Sequence, residues 1–336
     1  MFVFIVDFLA LSALRKDWKY TLRSAYSAGT FSNLRTQFRA FLLFCTYFRF
    51  TPTPATLDTI CLYVQFLSRT LSPPAIRNYL SGVKLLHLFS WLDFPFNKDF
   101  LLSLTLRGIA RNALHTPCRA PPVTPAILCQ ISRVLDFEND PISCTLFCAF
   151  LFTFFLMARL ANIVPRSRKC FDPSRNLTRS DVATNQHGLI VTFKCTKTIQ
   201  FGERKLHIPL LRLPGSPLCP VAAYQRMVCL VPASSRSALF VLPSHYGNTI
   251  LTQDRFIAAF RRALSAAGLP NASSYRGHSF RRGAASWAFN HGVPGELIQI
   301  YGDWASDAYK AYLEFSVESK LAFAQQLRSA VFSSTS

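Results

Sequence analysis

Acidic residues are scarce in this chain: Asp and Glu number 17 in 336 residues, against 37 Lys and Arg, for a formal net charge of +20. The deficit is spread out, with 14 basic against 5 acidic residues before Ala120 and 23 against 12 from there on. No single tail carries the excess. A globular chain that is basic throughout suits a long polyanion, whose phosphates release counterions as Lys and Arg neutralise them. A ribosomal-type or simply soluble basic protein would share this composition, so charge alone bears on partners and not on fold.

Other absences narrow the chemistry. The 10 cysteines include no CxxC pair and no Cys/His group with zinc-finger spacing. No carboxylate cluster and no Gly-rich phosphate loop with its Lys is present, so neither a metal centre nor nucleotide hydrolysis is expected, and no cofactor is implied. Cys45, Cys144 and Cys148 sit in apolar runs, where a thiol behaves as a small hydrophobe. The set reads as reduced and structural, which fits an intracellular compartment. Met1–Leu14 is apolar but carries Asp7 and lacks both a basic leader and a small-residue cleavage site, so no secretory signal is expected. Ile142–Ala158 is a run of 17 mostly apolar residues, at the short limit for crossing a bilayer. It contains Ser143 and Thr145 and runs into Arg159, and it reads as a buried helix. No membrane partner and no small-molecule substrate are expected.

The length allows two domains of ordinary size or one large one, and with half of the residues apolar a sizeable core can be buried. Apolar spacing of three and four predicts helices over Asn33–Phe50, Pro54–Thr70, Pro73–Trp91 and Asn97–Leu114, punctuated by Pro/Thr and Ser/Pro clusters. Arg35, Arg39, Arg77, Lys84, Arg107 and Arg111 lie among them, giving a small basic helical bundle. Thr116–Pro122 is the linker candidate. Beyond it, helices are predicted over Thr124–Leu135 and the apolar run. Gly188–Phe193 and Arg204–Leu210 follow as strands of a β-hairpin. Further helices are predicted at Thr252–Ala267, Ser279–His291, Gly295–Tyr301, Ser306–Phe315 and from Ser316 to about Val331.

The chemistry concentrates late in the chain. In Gly277-His278-Ser279-Phe280-Arg281-Arg282-Gly283, His278 and Arg281 stand three apart at a helix start, on neighbouring positions of one face. Such a pair can address a phosphate: the guanidinium grips two oxygens and the imidazole moves a proton. That spacing is common by chance. It gains weight from Gly302-Asp303-Trp304, about twenty residues on, and from Tyr312, eight residues after Trp304.

The composite H-x-x-R, G-x-W and Tyr resembles the C-terminal signature of the tyrosine recombinase (phage integrase) family. The stretch from His278 to Phe315 is similar to the recombinases of eukaryotic mobile elements, the Crypton and DIRS-like groups. The resemblance runs from about Ser27 to Leu327, specific in the last third and diffuse in the first. It implies a mainly α fold with a small β-hairpin or sheet: a helical, SAM-like core-binding domain over residues 1–119 and an α+β catalytic domain over 120–336. It implies a catalytic set of Arg159, at the end of an apolar helix; Lys197, on the hairpin; His278 and Arg281; Trp304, where many relatives have His; and Tyr312 as nucleophile. Arg159 and Arg281 would neutralise the phosphate oxygens, Lys197 would protonate the 5′ oxygen, His278 would exchange a proton with the tyrosine, and Trp304 would donate its indole N–H. Asn162 departs from the pattern, since relatives commonly carry an acid three residues after the first Arg. Tyr309 is the competitor to Tyr312, and its place in similar sequences makes it a packing residue.

The implied activity is cleavage and rejoining of double-stranded DNA through a 3′-phosphotyrosine, without metal, in the nucleus. The implied assembly is a homotetramer on two duplexes, each protomer holding DNA between its two domains, with the terminal helix packed on a neighbour. Two other readings compete: a domesticated DNA-binding protein that no longer cuts, which Asn162 favours, and a topoisomerase of the related type, which the compact size disfavours.

Overall fold

In a computed structural model, the described residues are 11–94, 96, 99–113, 119–314 and 317–334. Most of Met1–Leu14 and the Thr116–Cys118 part of the proposed linker lie outside them, as do Phe315 and Ser316. The chain divides into two compact units, Met1–Cys118 and Arg119–Ser336.

The first unit is helical: α1 (Leu11–Ser24), α2 (Ala28–Phe48), α3 (Leu57–Ser68), α4 (Pro73–Phe89) and α5 (Phe100–Asn112). Side-chain caps from Ser27, Thr56 and Asp99 start α2, α3 and α5, and prolines open α4, where a missing N–H costs nothing. Phe41, Phe44, Ile60, Tyr63, Val64, Ile76 and Val83 form its core. Helix α1 was not predicted from the sequence.

The second unit is α+β. It runs α6 (Pro125–Val134), α7 (Pro141–Phe155), α8 (Leu160–Ile163), β1 (Val182–Asn185), β2 (Gly188–Phe193), β3 (Leu206–Leu211), α9 (Pro220–Leu230), β4 (Val241–Leu242), β5 (Thr249–Ile250), α10 (Gln253–Ala266), α11 (Gly277–Asn290), α12 (Gly295–Tyr301), a 3₁₀ helix over Asp307–Tyr312, and α13 (Val317–Ser334). The predicted hairpin is present, with Gly188 opposite Leu211 and Phe193 opposite Leu206. β1 adds a third antiparallel strand on its other edge. That strand and α9 were missed, β1 because only four mostly exposed residues form it. The Ser306–Phe315 helix is corrected to the six-residue 3₁₀ helix, since local hydrogen bonds and tertiary ties, described below, override α periodicity there.

Helix α7 is apolar on every side and buried along nearly its whole length, as a helix in the middle of a core must be. No helix among the described residues is long and apolar enough to cross a membrane. Phe150 of α7 meets Phe256 and Phe260 of α10 at 5.0 and 5.1 Å between ring centroids, and Phe280 of α11 at 6.0 Å. Phe280 thus drives the start of α11 into the core while its neighbours His278 and Arg281 face elsewhere. Two glycines permit the approach. A Cβ on Gly277 would stand 2.9 Å from Leu160 Cβ, and one on Gly283 would stand 1.7 Å from the carbonyl oxygen of Val123.

Val123 cannot retreat freely, because its N–H donates to Ser279 O at 2.9 Å. Gly283→Ala is therefore expected to lower unfolding free energy by about 1–3 kcal/mol, the cost of overpacking a filled site. Denaturant titration should show an earlier midpoint with an unchanged slope; an unchanged midpoint would mean the contact is soft.

Candidate active site

Five of the six residues singled out in the sequence converge. The chain leaves α7 through Met157, which adopts a left-handed conformation (φ +46) that costs an L residue roughly 1–2 kcal/mol. This bend turns the chain so that Arg159 caps α8 and the Met157 carbonyl accepts a hydrogen bond from Arg281 Nη1 at 2.6 Å. Arg281 lies one turn into α11 with only 1% of its surface exposed. Its guanidinium carbon sits 3.5 Å from the centroid of the Trp304 ring and 5.8 Å from that of Tyr312, a stacked cation–π arrangement.

Trp304 is held by its backbone. Its N–H donates to Gln299 O at 3.0 Å, and Gln299 Nε2 returns a bond to Trp304 O. Gly302 is required beside it, since a Cβ there would fall 1.8 Å from the indole. The Tyr312 ring lies 5.5 Å from Trp304 and 6.2 Å from His278, nearly parallel to the imidazole at 14°. Ser286 Oγ donates to Tyr312 O at 2.8 Å and accepts from Glu314 N at 3.0 Å. Arg282 pairs with the Glu314 carboxylate at 3.0 Å. Helix α11 thus supplies two of the converging residues, His278 and Arg281, and also fixes the segment carrying the phenol. Ser286 and Arg282 were not recognised in the sequence, because their role is purely tertiary.

Tyr309 and Tyr312 stand one 3₁₀ turn apart, which places them on one face, yet they differ in environment. Tyr309 is buried in a small core with Ala285, Ala288, Ile298 and Trp304. Its hydroxyl fills the space above Gly295, where a Cβ would stand 2.7 Å away. Tyr312 is half-buried, and its hydroxyl meets no hydrogen-bond partner among the described residues.

Lys197 does not join the cluster by direct contact. It is exposed on the loop between β2 and β3, and among the described residues nothing engages its ammonium. Its neighbour Lys194 is occupied instead, paired with Asp181 at 2.8 Å and donating to Pro173 O at 2.6 Å. The Lys197 loop is nonetheless fastened to the site: Thr196 and Thr198 both donate to Asp303, the residue before Trp304. Asn162 follows Arg159 in α8, half-buried.

The donors of the cluster are unmatched. Arg159 Nη1, Arg281 Nε and Nη2, and Trp304 Nε1 are buried without a protein acceptor among the described residues. A buried cation left unpaired is costly, and Arg281 is one, with half-buried Arg159 near enough to act on its charge. Burial first, and then the neighbouring Arg159, pulls the Arg281 guanidinium down to about 9, while Tyr312 and Asp303 partly support it. His278 is exposed as a residue, but its ring packs over Tyr312. Desolvation there, followed by Arg281, Arg159 and Arg282, holds its imidazole below the ordinary value. At neutral pH it is a proton acceptor. The arrangement is a fork of cationic and neutral N–H donors beside a phenol and a neutral imidazole, suited to a phosphodiester oxygen pair. No group of carboxylate, His and Cys side chains able to hold a metal occurs among the described residues.

Solved structures with the same architecture include recombinases and integrases bound to DNA. The chain superposes on the XerH site-specific recombinase in a post-cleavage complex with palindromic difH substrate (TM-score 0.54, 16% identity, 81% of this chain and 72% of that one). It superposes on the Tn1549 transposon integrase in complex with transposon right-end DNA (0.52, 17%, 82% and 86%), and on a lambda integrase dimer bound to a COC′ core site (0.52, 15%, 91% and 96%). The fold is that of the tyrosine recombinases. No protein-family profile and no curated protein matches the chain. With the mainly helical frame and three-stranded sheet of that fold, the expected fold class holds.

Removing one of the cations around His278 should let its imidazole rise. Arg159→Gln is expected to move the His278 pKa upward toward 6.5, followed as the imidazole resonances in an NMR titration. A shift downward, or none, would mean that Arg159 does not face the ring.

Proposed function

We propose that this protein is a tyrosine recombinase that cleaves and rejoins double-stranded DNA through a 3′-phosphotyrosine on Tyr312. The observation that carries the reading is the set of buried, unmatched donors from Arg281 and Trp304 beside the Tyr312 ring, with an unmatched Arg159 donor close enough to act on the charges of Arg281 and His278. These donors would hold the non-bridging oxygens and stabilise the charge that builds on them as phosphorus becomes five-coordinate. The Tyr312 oxygen would bond to phosphorus while its proton passes to neutral His278. The 5′ oxygen would leave with its bonding pair and take a proton from Lys197. Reversal with a different 5′ hydroxyl completes strand exchange. The family likeness in the motifs from His278 to Tyr312 supports this assignment, and the net charge of +20 suits a DNA partner.

In this reading the protein acts in the nucleus, as a recombinase of a mobile element of the Crypton or DIRS-like type, and as a homotetramer on two duplexes. Helix α13 exposes Leu321, Phe323 and Leu327, apolar side chains that a neighbouring protomer would cover. Asn162 in place of an acid favours a second reading, a DNA-binding protein that no longer cuts.

Duplexes that the protein selects from a randomised pool, nicked to trap the intermediate, separate the two. Wild type and Tyr309→Phe are expected to form a covalent protein–DNA adduct that Tyr312→Phe lacks, with chelator present or absent. Selection of DNA with no adduct from any variant would establish the binding-only reading, and an adduct lost in Tyr309→Phe alone would move the nucleophile. Binding itself should weaken by roughly 100-fold or more between about 50 and about 200 mM salt, as several phosphate contacts require. A flat salt response in an equilibrium binding assay would speak against a phosphate-dominated interface.

A further inference from the structure

We propose that Asp303 is a positioning residue for Lys197: its carboxylate clasps the β2–β3 loop near both ends and holds it in register with the turn that carries Trp304. The proposal rests on the strand-transfer reading above, in which Lys197 protonates the departing 5′ oxygen.

The loop from Lys194 to Lys205 is long, and its lysine stands exposed. A flexible ammonium on such a loop would reach the reacting phosphate in only a fraction of its conformations. The geometry around Asp303 limits that freedom. Asp303 is 6% exposed and carries φ +57, between Gly302 and Trp304. Its Oδ2 accepts from Thr196 Oγ1 at 2.6 Å and also from Thr198 Oγ1, the two residues that flank Lys197. Its Oδ1 accepts from Arg204 Nη2 at 2.6 Å, at the other end of the loop, two residues before β3. Thr196 propagates the tie inward: its hydroxyl accepts from the N–H groups of Thr198 and Ile199, and its own N–H donates to Ile199 O at 3.0 Å. Lys197 therefore sits at the tip of a small hydrogen-bonded turn. Ile199, fully buried, anchors that turn from below. Burial pushes the Asp303 carboxyl up, but the hydrogen bonds from Thr196, Thr198 and Arg204 outweigh it and keep the group ionised. An ionised carboxylate accepts all three bonds at once; its neutral form could not.

One carboxylate thus joins the loop that would supply the proton to the turn that supplies the indole donor. Trp304 in turn stacks on Arg281. The clasp aligns the acid with a phosphate grip that Met157 and Trp304 hold separately, so displacing the loop by an ångström would cost turnover without disturbing the grip.

The test compares an ordinary duplex with one whose 5′-bridging oxygen at the cleaved position, mapped with the nicked substrates, is replaced by sulfur. A thiolate leaves with its bonding pair and needs no proton, so a misplaced acid no longer limits the rate. Asp303→Asn is expected to lower cleavage of the oxygen substrate by about 100-fold and to recover on the sulfur substrate to within about 3-fold of wild type. Lys197→Ala should show the same pattern. Thr198→Val, which leaves Asp303 in place, should reproduce the pattern in weaker form, and Thr196→Ser, which keeps its hydroxyl, should behave as wild type. Equal losses on both substrates, or no loss on either, overturn the proposal, because a merely structural role affects both alike. If Lys197→Ala shows sulfur rescue while Asp303→Asn and Thr198→Val do not, the clasp fails and the strand-transfer reading stands. If wild type forms no adduct on the sulfur substrate, that reading fails and the clasp falls with it.

Discussion

A guanidinium sealed from water with two of its donors unmet is the constraint on which the Arg119–Ser336 unit turns. Arg281 could have been buried more cheaply with a carboxylate beside it, since an unpaired buried cation costs several kcal/mol. Instead it rests on the face of Trp304, gives one bond to the Met157 carbonyl and faces Arg159. The π face and the carbonyl supply partial negative charge without consuming the remaining donors. A site assembled this way is costly for the protein alone, and in the reading proposed above the oxygens of a phosphodiester would offset that cost by meeting the open donors.

Holding such a site requires rigidity elsewhere, and the core provides it. Helix α7 contributes no polar face; it is a post against which α10 and α11 pack through Phe150, Phe256, Phe260 and Phe280. The site is built where that post ends. Close contacts at Gly277 and Gly283 draw α11 onto Leu160 and Val123, so that the residue pair at the start of α11 meets the arginine just beyond α7. The phenol arrives later in the chain, tied to the same helix through Ser286, Asn290 and Arg282. Displacing α11 would move every member of the cluster together, which keeps their mutual geometry while the surroundings flex.

Much of this was legible in the sequence, and the limit has a physical pattern. The spacing of His278 and Arg281, the all-round apolarity of α7 and the strand alternation at β2 and β3 are local properties, and each specified its element. The choice between Tyr309 and Tyr312 was not local: the two share a face, and only the packing of Tyr309 over Gly295 separates a core ring from a half-exposed one. Asp303, Ser286 and Arg282 gave no signal, because a single carboxylate, hydroxyl or guanidinium in a helix or turn is ordinarily solvated, and their partners lie up to 162 residues away in the chain. The 3₁₀ geometry of Asp307–Tyr312 was hidden for the same reason, being imposed by the ties at Tyr312 and Glu314.

The amide at Asn162 and the carboxylate at Asp303 bear on the same balance. With an amide in α8, no carboxylate beside Arg159 offsets the repulsion between the two arginines. Asp303 is ionised and nearly sealed from solvent, and its charge gives Arg281 only a slight support, the smallest of the influences on it. Because its oxygens are already taken by Thr196, Thr198 and Arg204, it does so at a distance, without occupying the donors a phosphate needs. A carboxylate placed in direct contact with Arg281 would stabilise the empty site and compete with substrate. One committed to the neighbouring loop by three hydrogen bonds leaves the fork open, and the mechanical role those bonds give it outweighs its slight charge effect on Arg281.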